Sequence, residues 1–168
     1  MTAIRVISVL AVLAIVVAMF ACGIVVAQNA APMMNPPVSM TAGTPGKVTM
    51  ADVDSALASG PVLVEFESQE CTYCKQQKPI SEALIRDYGG KVTFIPVDIA
   101  QSRDLANMFQ VRGVPQMDVI VKKSGNTYTY VGKDGATSDS ITGSRFIGLT
   151  QSNDLKAAID AALRMRGQ

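Results

Sequence analysis

Val62-Leu63-Val64-Glu65-Phe66, then four residues, then Cys71-Thr72-Tyr73-Cys74 is the stretch whose reading decides the fold. The first five residues follow Pro61, are mostly β-branched or aromatic, and read as a buried strand. From Cys74 the pattern changes. Ile80, Leu84 and Tyr88 recur at helical spacing, and Gly89-Gly90 closes the run. Pro79, inside that run, should kink it. The cysteine pair therefore lies between a strand and the start of a helix. A cysteine there faces unsatisfied N–H groups and the positive end of the helix dipole. Both favour thiolate over thiol. Two intervening residues place the second sulfur within one helical turn, ready to attack a mixed disulfide. Cys71 is thus the expected exposed nucleophile and Cys74 the resolving thiol.

Composition narrows the chemistry. The 168-residue chain has three cysteines, no histidine and a net charge of +1. Without histidine there is no Ser-His-Asp or Cys-His nucleophile, no histidine-ligated zinc and no histidine-ligated haem. A cysteine zinc site needs four ligands, and only Cys22 remains beyond the pair. Haem attachment requires histidine after the second cysteine, where Lys75 stands. A purely structural disulfide across so small a loop stabilises little. A near-neutral charge without a basic run gives no case for nucleic acid. The pair reads as a redox centre, with no metal and no cofactor expected.

Outward from the pair, Thr49-Met50-Ala51-Asp52 resembles a capping box opening a short helix that ends near Gly60. Val92 to Val97 reads as a second strand. Ser102 is expected to cap a helix carrying Leu105, Met108 and Phe109. Met117 to Val121 reads as a third strand, Ser124-Gly125-Asn126 as a turn, and Thr127 to Val131 as an alternating strand. Residues 132–144, rich in Gly, Ser, Thr and Asp, read as a loop. A last helix, about Asn153 to Met165, places Leu155, Ile159, Ala162 and Leu163 on one face. Strands separated by helices argue a parallel portion, and the close pair at 117–131 an antiparallel hairpin. The predicted fold class is α/β, a mixed central sheet flanked by helices.

These motifs together resemble the thioredoxin family over roughly residues 48 to 165: the strand through Phe66, Cys71-x-x-Cys74-Lys75, Pro79, Val97-Asp98 and Gly113-Val114-Pro115. The resemblance implies a cis peptide at Val114-Pro115, packed beside the cysteines, with the Val114 backbone binding substrate as an added strand. It implies that Thr72 and Tyr73 meet substrate and that Gly148 matches a glycine near the substrate groove. Glu65 falls where the family has a buried Asp beneath the cysteines. A carboxyl there would have a raised pKa and relay a proton to or from Cys74. Three departures stand out. Glu70 replaces the family's usual Trp before the first cysteine. Thr72-Tyr73 replaces Gly-Pro, and Tyr at that place is similar to glutaredoxins and bacterial disulfide isomerases. Pro96 stands where the family often has a Lys that pairs with the buried acid. Two assignments of the last strand fit the family: Thr127 to Val131 with the loop after it, or Arg145 to Ile147 with an extended hairpin.

The N-terminus has another character. Val6 to Ala27 is uninterrupted and uncharged after Arg5, and as a helix spans roughly 33 Å, about one bilayer core. Three readings are an uncleaved anchor, a signal peptide cut after Ala27, and lipidation at Cys22. Positive charge only before the segment leaves the N-terminus in the cytoplasm and the rest outside it. Residues 28–47, rich in Pro and Gly, read as a tether; their methionines lack Cys or His neighbours that would complete a metal site. Residues 48–168 form the predicted domain. The expected activity is thiol–disulfide exchange outside the cytoplasm on cysteine-containing protein substrates. Net reduction is expected of a monomer held at the membrane and fed electrons by a membrane electron donor or thiol-redox partner. Disulfide isomerisation or oxidation is the alternative, and a non-enzymatic binding module on the same fold is the alternative of a different class.

Overall fold

Alternation along the strand Val62–Glu67 (β1) sets the layering of the domain. Val62, Val64 and Phe66 enter one core, with Ile95, Val97, Leu105, Phe109, Ile120 and Tyr130. Leu63 enters the other, with Leu84, Met117, Val119, Phe146, Leu155 and Ile159. A central strand buried on both faces needs apolar side chains of either parity, which explains its unbroken run. Glu65 shares the parity of Leu63 and is the exception.

The computed structural model describes residues 46–168. The expected anchor or signal segment (1–27), Cys22 and residues 28–45 of the tether lie outside the described residues. Among those described, no helix is long and apolar enough to cross a membrane.

The order is α1 (Met50–Ser59), β1, α2 (Thr72–Tyr88), β2 (Thr93–Asp98), α3 (Arg103–Met108), β3 (Gln116–Ser124), β4 (Thr127–Val131), β5 (Thr137–Ser138), α4 (Ile141–Ser144), β6 (Phe146–Ile147) and α5 (Ser152–Met165). The sheet runs β2-β1-β3-β4-β5, with β6 also on β3. β1 pairs with β2 in parallel and with β3 antiparallel. Among the described residues β2 lies at the sheet edge, where Pro96 is tolerated because its missing N–H faces no second strand there. α5 lays Leu155, Ala158, Ile159 and Ala162 on the core, the face expected from its periodicity.

The structure amends several expectations. Residues 132–144 are not simply a loop: β5 pairs with Tyr130 and Val131, and α4 follows it. A two-residue strand and a one-turn helix are too short to show periodicity, and their order comes from contacts such as buried Ile141. Both candidate last strands are strands. β4 pairs with Val119 to Ser124 of β3, and β6 with Gln116 and Met117 at the other end of the same strand. Ser102 occupies the N-cap of α3, but its hydroxyl accepts the Val48 N–H at 2.9 Å instead of closing a cap. The helix expected to carry Leu105, Met108 and Phe109 ends at Met108, which is exposed, and Phe109, past its end, fills the core. The Asp52 carboxylate accepts the Thr49 N–H, one half of the expected capping box, and accepts the Thr49 hydroxyl as well.

Candidate active site

Cys71 is the N-cap residue of α2 and forms a disulfide with Cys74, with Cα atoms 5.2 Å apart. The helix continues through Pro79 to Tyr88. Cys71 is half-buried, while Cys74, one turn in, is buried. The Cys74 N–H donates to Cys71 Sγ at 3.0 Å. That donor is one of the orphan amides of the helix start, and it stabilises negative charge on Cys71 once the disulfide opens. Exposure makes Cys71 Sγ the sulfur a partner can reach, and the hydrogen bond favours Cys71 as the attacking thiolate once the pair is reduced.

Val114-Pro115 is cis. The Val114 carbonyl lies 3.4 Å from Cys71 Sγ, and Pro115 is buried. Gly148 adopts φ +78°, a conformation open to glycine at no steric cost. Its N–H donates to the Pro115 carbonyl at 2.8 Å. Ile147, exposed, precedes it, and Tyr73 is exposed beside the cysteines. Thr72 is exposed as well. The structure therefore gathers Cys71, Cys74, Val114, Pro115 and Gly148 around one disulfide, with Thr72 and Tyr73 at its rim.

Glu65 is 8% exposed, and burial pushes its pKa up to about 7. Ser81 on α2 opposes the shift, although its hydroxyl falls short of a full hydrogen bond; the charge of Glu67 adds to it. The in-register neighbour of Glu65 on β2 is Pro96, which offers no charge. A carboxyl that titrates near neutrality can hold or release a proton at working pH.

Sequence reasoning missed other polar groups here. A cavity of about 170 Å³ opens beside Cys74, lined by Glu67, Lys75, Lys78 and Asp98 among others. Burial and the charge of Asp98 raise the Glu67 pKa, and Lys78 opposes them. Glu67 shares the parity of Glu65, so strand alternation was the available signal. Gln77 and Ser81 are buried on α2. Helical spacing from Cys74 could have found them, but their polarity reads as solvated surface. On the opposite sheet face, Gln116 Nε2 donates to Phe109 O and to Asp118. Burial lifts the Asp118 pKa to about 7. Among the described residues no cluster of ligating side chains could hold a metal ion.

A dithiol at a helix start, beside a cis-proline loop and above a buried carboxyl, defines a thiol–disulfide oxidoreductase. The comparisons agree. The thioredoxin family profile matches residues 33–143. A thioredoxin of Staphylococcus aureus is 38% identical over 79 residues, covering 47% of this chain and 74% of that protein. Among solved structures, a Trichomonas vaginalis thioredoxin superposes with TM-score 0.53 at 24% identity, covering 70% of this chain and 92% of that one. Mitochondrial thioredoxin 3 of Saccharomyces cerevisiae, in its oxidised form, superposes with TM-score 0.51 at 21% identity, covering 69% and 93%. These structural likenesses speak to the fold. The chain belongs to the thioredoxin family, and its Cys71–Cys74 pair makes it a thiol–disulfide oxidoreductase.

Proposed function

We propose that this protein reduces disulfides of protein clients outside the cytoplasm, held at the membrane by its N-terminal segment. The observation that carries the direction of flow is that, among the described residues, no cationic side chain hydrogen-bonds the Cys71 sulfur. The sulfur receives one backbone donor, from Cys74, and exposed Glu70 precedes it in the chain. A strong oxidant needs a strongly stabilised thiolate in its reduced form. A moderately stabilised one suits a reductant. The client would lie along the Val114 backbone, between the cis-proline loop with Gly148 and the Thr72-Tyr73 rim, where an extended peptide gains main-chain hydrogen bonds. Cys71 attacks the client disulfide, and Cys74 resolves the mixed disulfide. Glu65 takes the Cys74 proton in the oxidative half of the cycle. An oxidising exterior supplies no electrons, so a membrane donor or thiol-redox partner would return them.

Redox titration of the purified protein against glutathione and dithiothreitol tests the direction. The expected midpoint lies nearer about −270 mV than about −120 mV. A midpoint above about −180 mV, the range of an isomerase, would replace reduction with isomerisation.

Location has its own test. A reporter fused after Gln168 should be active only outside the cytoplasm, with the chain fractionating with membrane. Activity on the cytoplasmic side would defeat the proposed topology. A soluble species beginning at Gln28 would show a cleaved signal, and lipid labelling lost in Cys22→Ala a lipid anchor.

A further inference from the structure

The buried face of α2 is polar directly below the disulfide. Its buried residues are Cys74, Gln77, Ser81 and Leu84, and Gln77 is fully buried. Gln77 Oε1 accepts the Thr150 N–H at 2.8 Å. A backbone N–H can only donate, so this bond fixes the orientation of the amide and leaves Nε2 as its donor end. Nε2 is buried and has no hydrogen-bond partner among the described residues. A buried donor left unpaired is destabilising, which points to a partner in another state of the molecule.

The oxidised and reduced states differ at Cys74. Its sulfur is neutral in the disulfide and becomes a charged acceptor when the pair opens. Residues three apart on a helix share a face, and helical side chains lean toward the N-terminus. Both rules direct Gln77 toward Cys74. The acceptor end of the same amide is anchored to the loop that supports the cis-proline. Thr150 Oγ1 donates to Gly148 O at 3.1 Å, and Gly148 N–H donates to Pro115 O at 2.8 Å. Gln77 thus lies in a hydrogen-bonded chain running from the cis-proline loop to the turn of α2 below Cys74.

We propose that Gln77 Nε2 is the hydrogen-bond donor to the Cys74 thiolate, lowering the pKa of the resolving thiol. The inference rests on the reading of Cys74 as the resolving cysteine. The charged groups around it are Glu65 on the α2-facing side of β1, and Glu67, Lys75, Lys78 and Asp98 around the cavity. α5 contributes Lys156 and Asp160 near the far end of α2, paired with Asp87 and Tyr88.

The test uses the full chain carrying Cys22→Ala, with Cys71 loaded as a mixed disulfide with 5-thio-2-nitrobenzoate. Cys74 gives up its proton and attacks Cys71 Sγ. The bond to the leaving thiolate breaks, thionitrobenzoate departs with the electron pair, and the Cys71–Cys74 disulfide forms. First-order release of the yellow thiolate, followed across pH 5–10, reports the apparent pKa of Cys74. Gln77→Met keeps the length and removes both ends of the amide. Its apparent pKa should rise by about one unit, slowing release at pH 7 about tenfold. An unchanged profile in a folded variant overturns the proposal. Failure of the unsubstituted chain to release thiolate would instead overturn the resolving role of Cys74. If Gln77→Met does not fold, the side-chain amide resonances of Gln77 in the reduced protein are followed over the same range. Titration in step with Cys74 supports the proposal, and flat resonances overturn it.

Discussion

Cys71→Ser should abolish insulin-disulfide reduction, by at least about a thousandfold, and should trap almost no client. Its sulfur is the accessible one, stands at the N-cap of α2 and receives the Cys74 N–H. A serine hydroxyl at that place is neither ionised nor nucleophilic enough for exchange. Cys74→Ser should lose turnover to a similar degree while accumulating mixed disulfides through Cys71, because the buried resolving thiol is gone. Non-reducing gels with the client present read both outcomes. Equal trapping by the two variants would reverse or erase the assignment of roles.

Glu65→Gln should slow resolution at pH 7 by about a hundredfold, the range of a lost general base. The same substitution should stabilise the fold at alkaline pH. Burial raises the Glu65 pKa from the usual 4.5 to about 7. Between those values the native state holds a proton that the unfolded chain has released. Stability is therefore full below about pH 4.5 and falls as pH rises through 7, at about 1.4 kcal/mol per unit. Glutamine cannot ionise, so the variant escapes that loss and overtakes the native protein above pH 7. Asp118, raised to about 7 by burial on the other sheet face, acts in the same direction and remains. Part of the slope should therefore persist in the variant. Urea unfolding at pH 5 and pH 8.5 measures the difference. Identical pH dependence in the two proteins would remove Glu65 as a buried titrating group, and unchanged exchange rates across pH 6–9 would remove it as a proton carrier.

The redox pair was legible because its signal is local. Cys71 and Cys74 stand three positions apart at a strand-to-helix junction, and helical spacing fixes their relation whatever the rest of the chain does. β1 and α5 were legible for a similar reason: their apolar patterns match the surfaces they bury. Residues 132–144 were not, because β5 and α4 are too short for a period and depend on β4 and on Ile141 for their form. Met108 and Phe109 show the limit of spacing at a helix end, where one residue decides which side chain turns inward.

By itself, the sequence determined a thioredoxin-family domain with a dithiol at a helix start, and the place of Glu65 on the strand before it. Those features follow from periodicity and from residues close in the chain. Tertiary structure alone decided the hydrogen bonds that frame the sulfurs. It joined Gly148 to Pro115 and carried Thr150 to Gln77. Thr150 and Gln77 are 73 positions apart. Contacts between such distant residues arise only when sheet register and helix packing close together, and burial then gives a glutamate or glutamine properties that its position in the chain does not reveal.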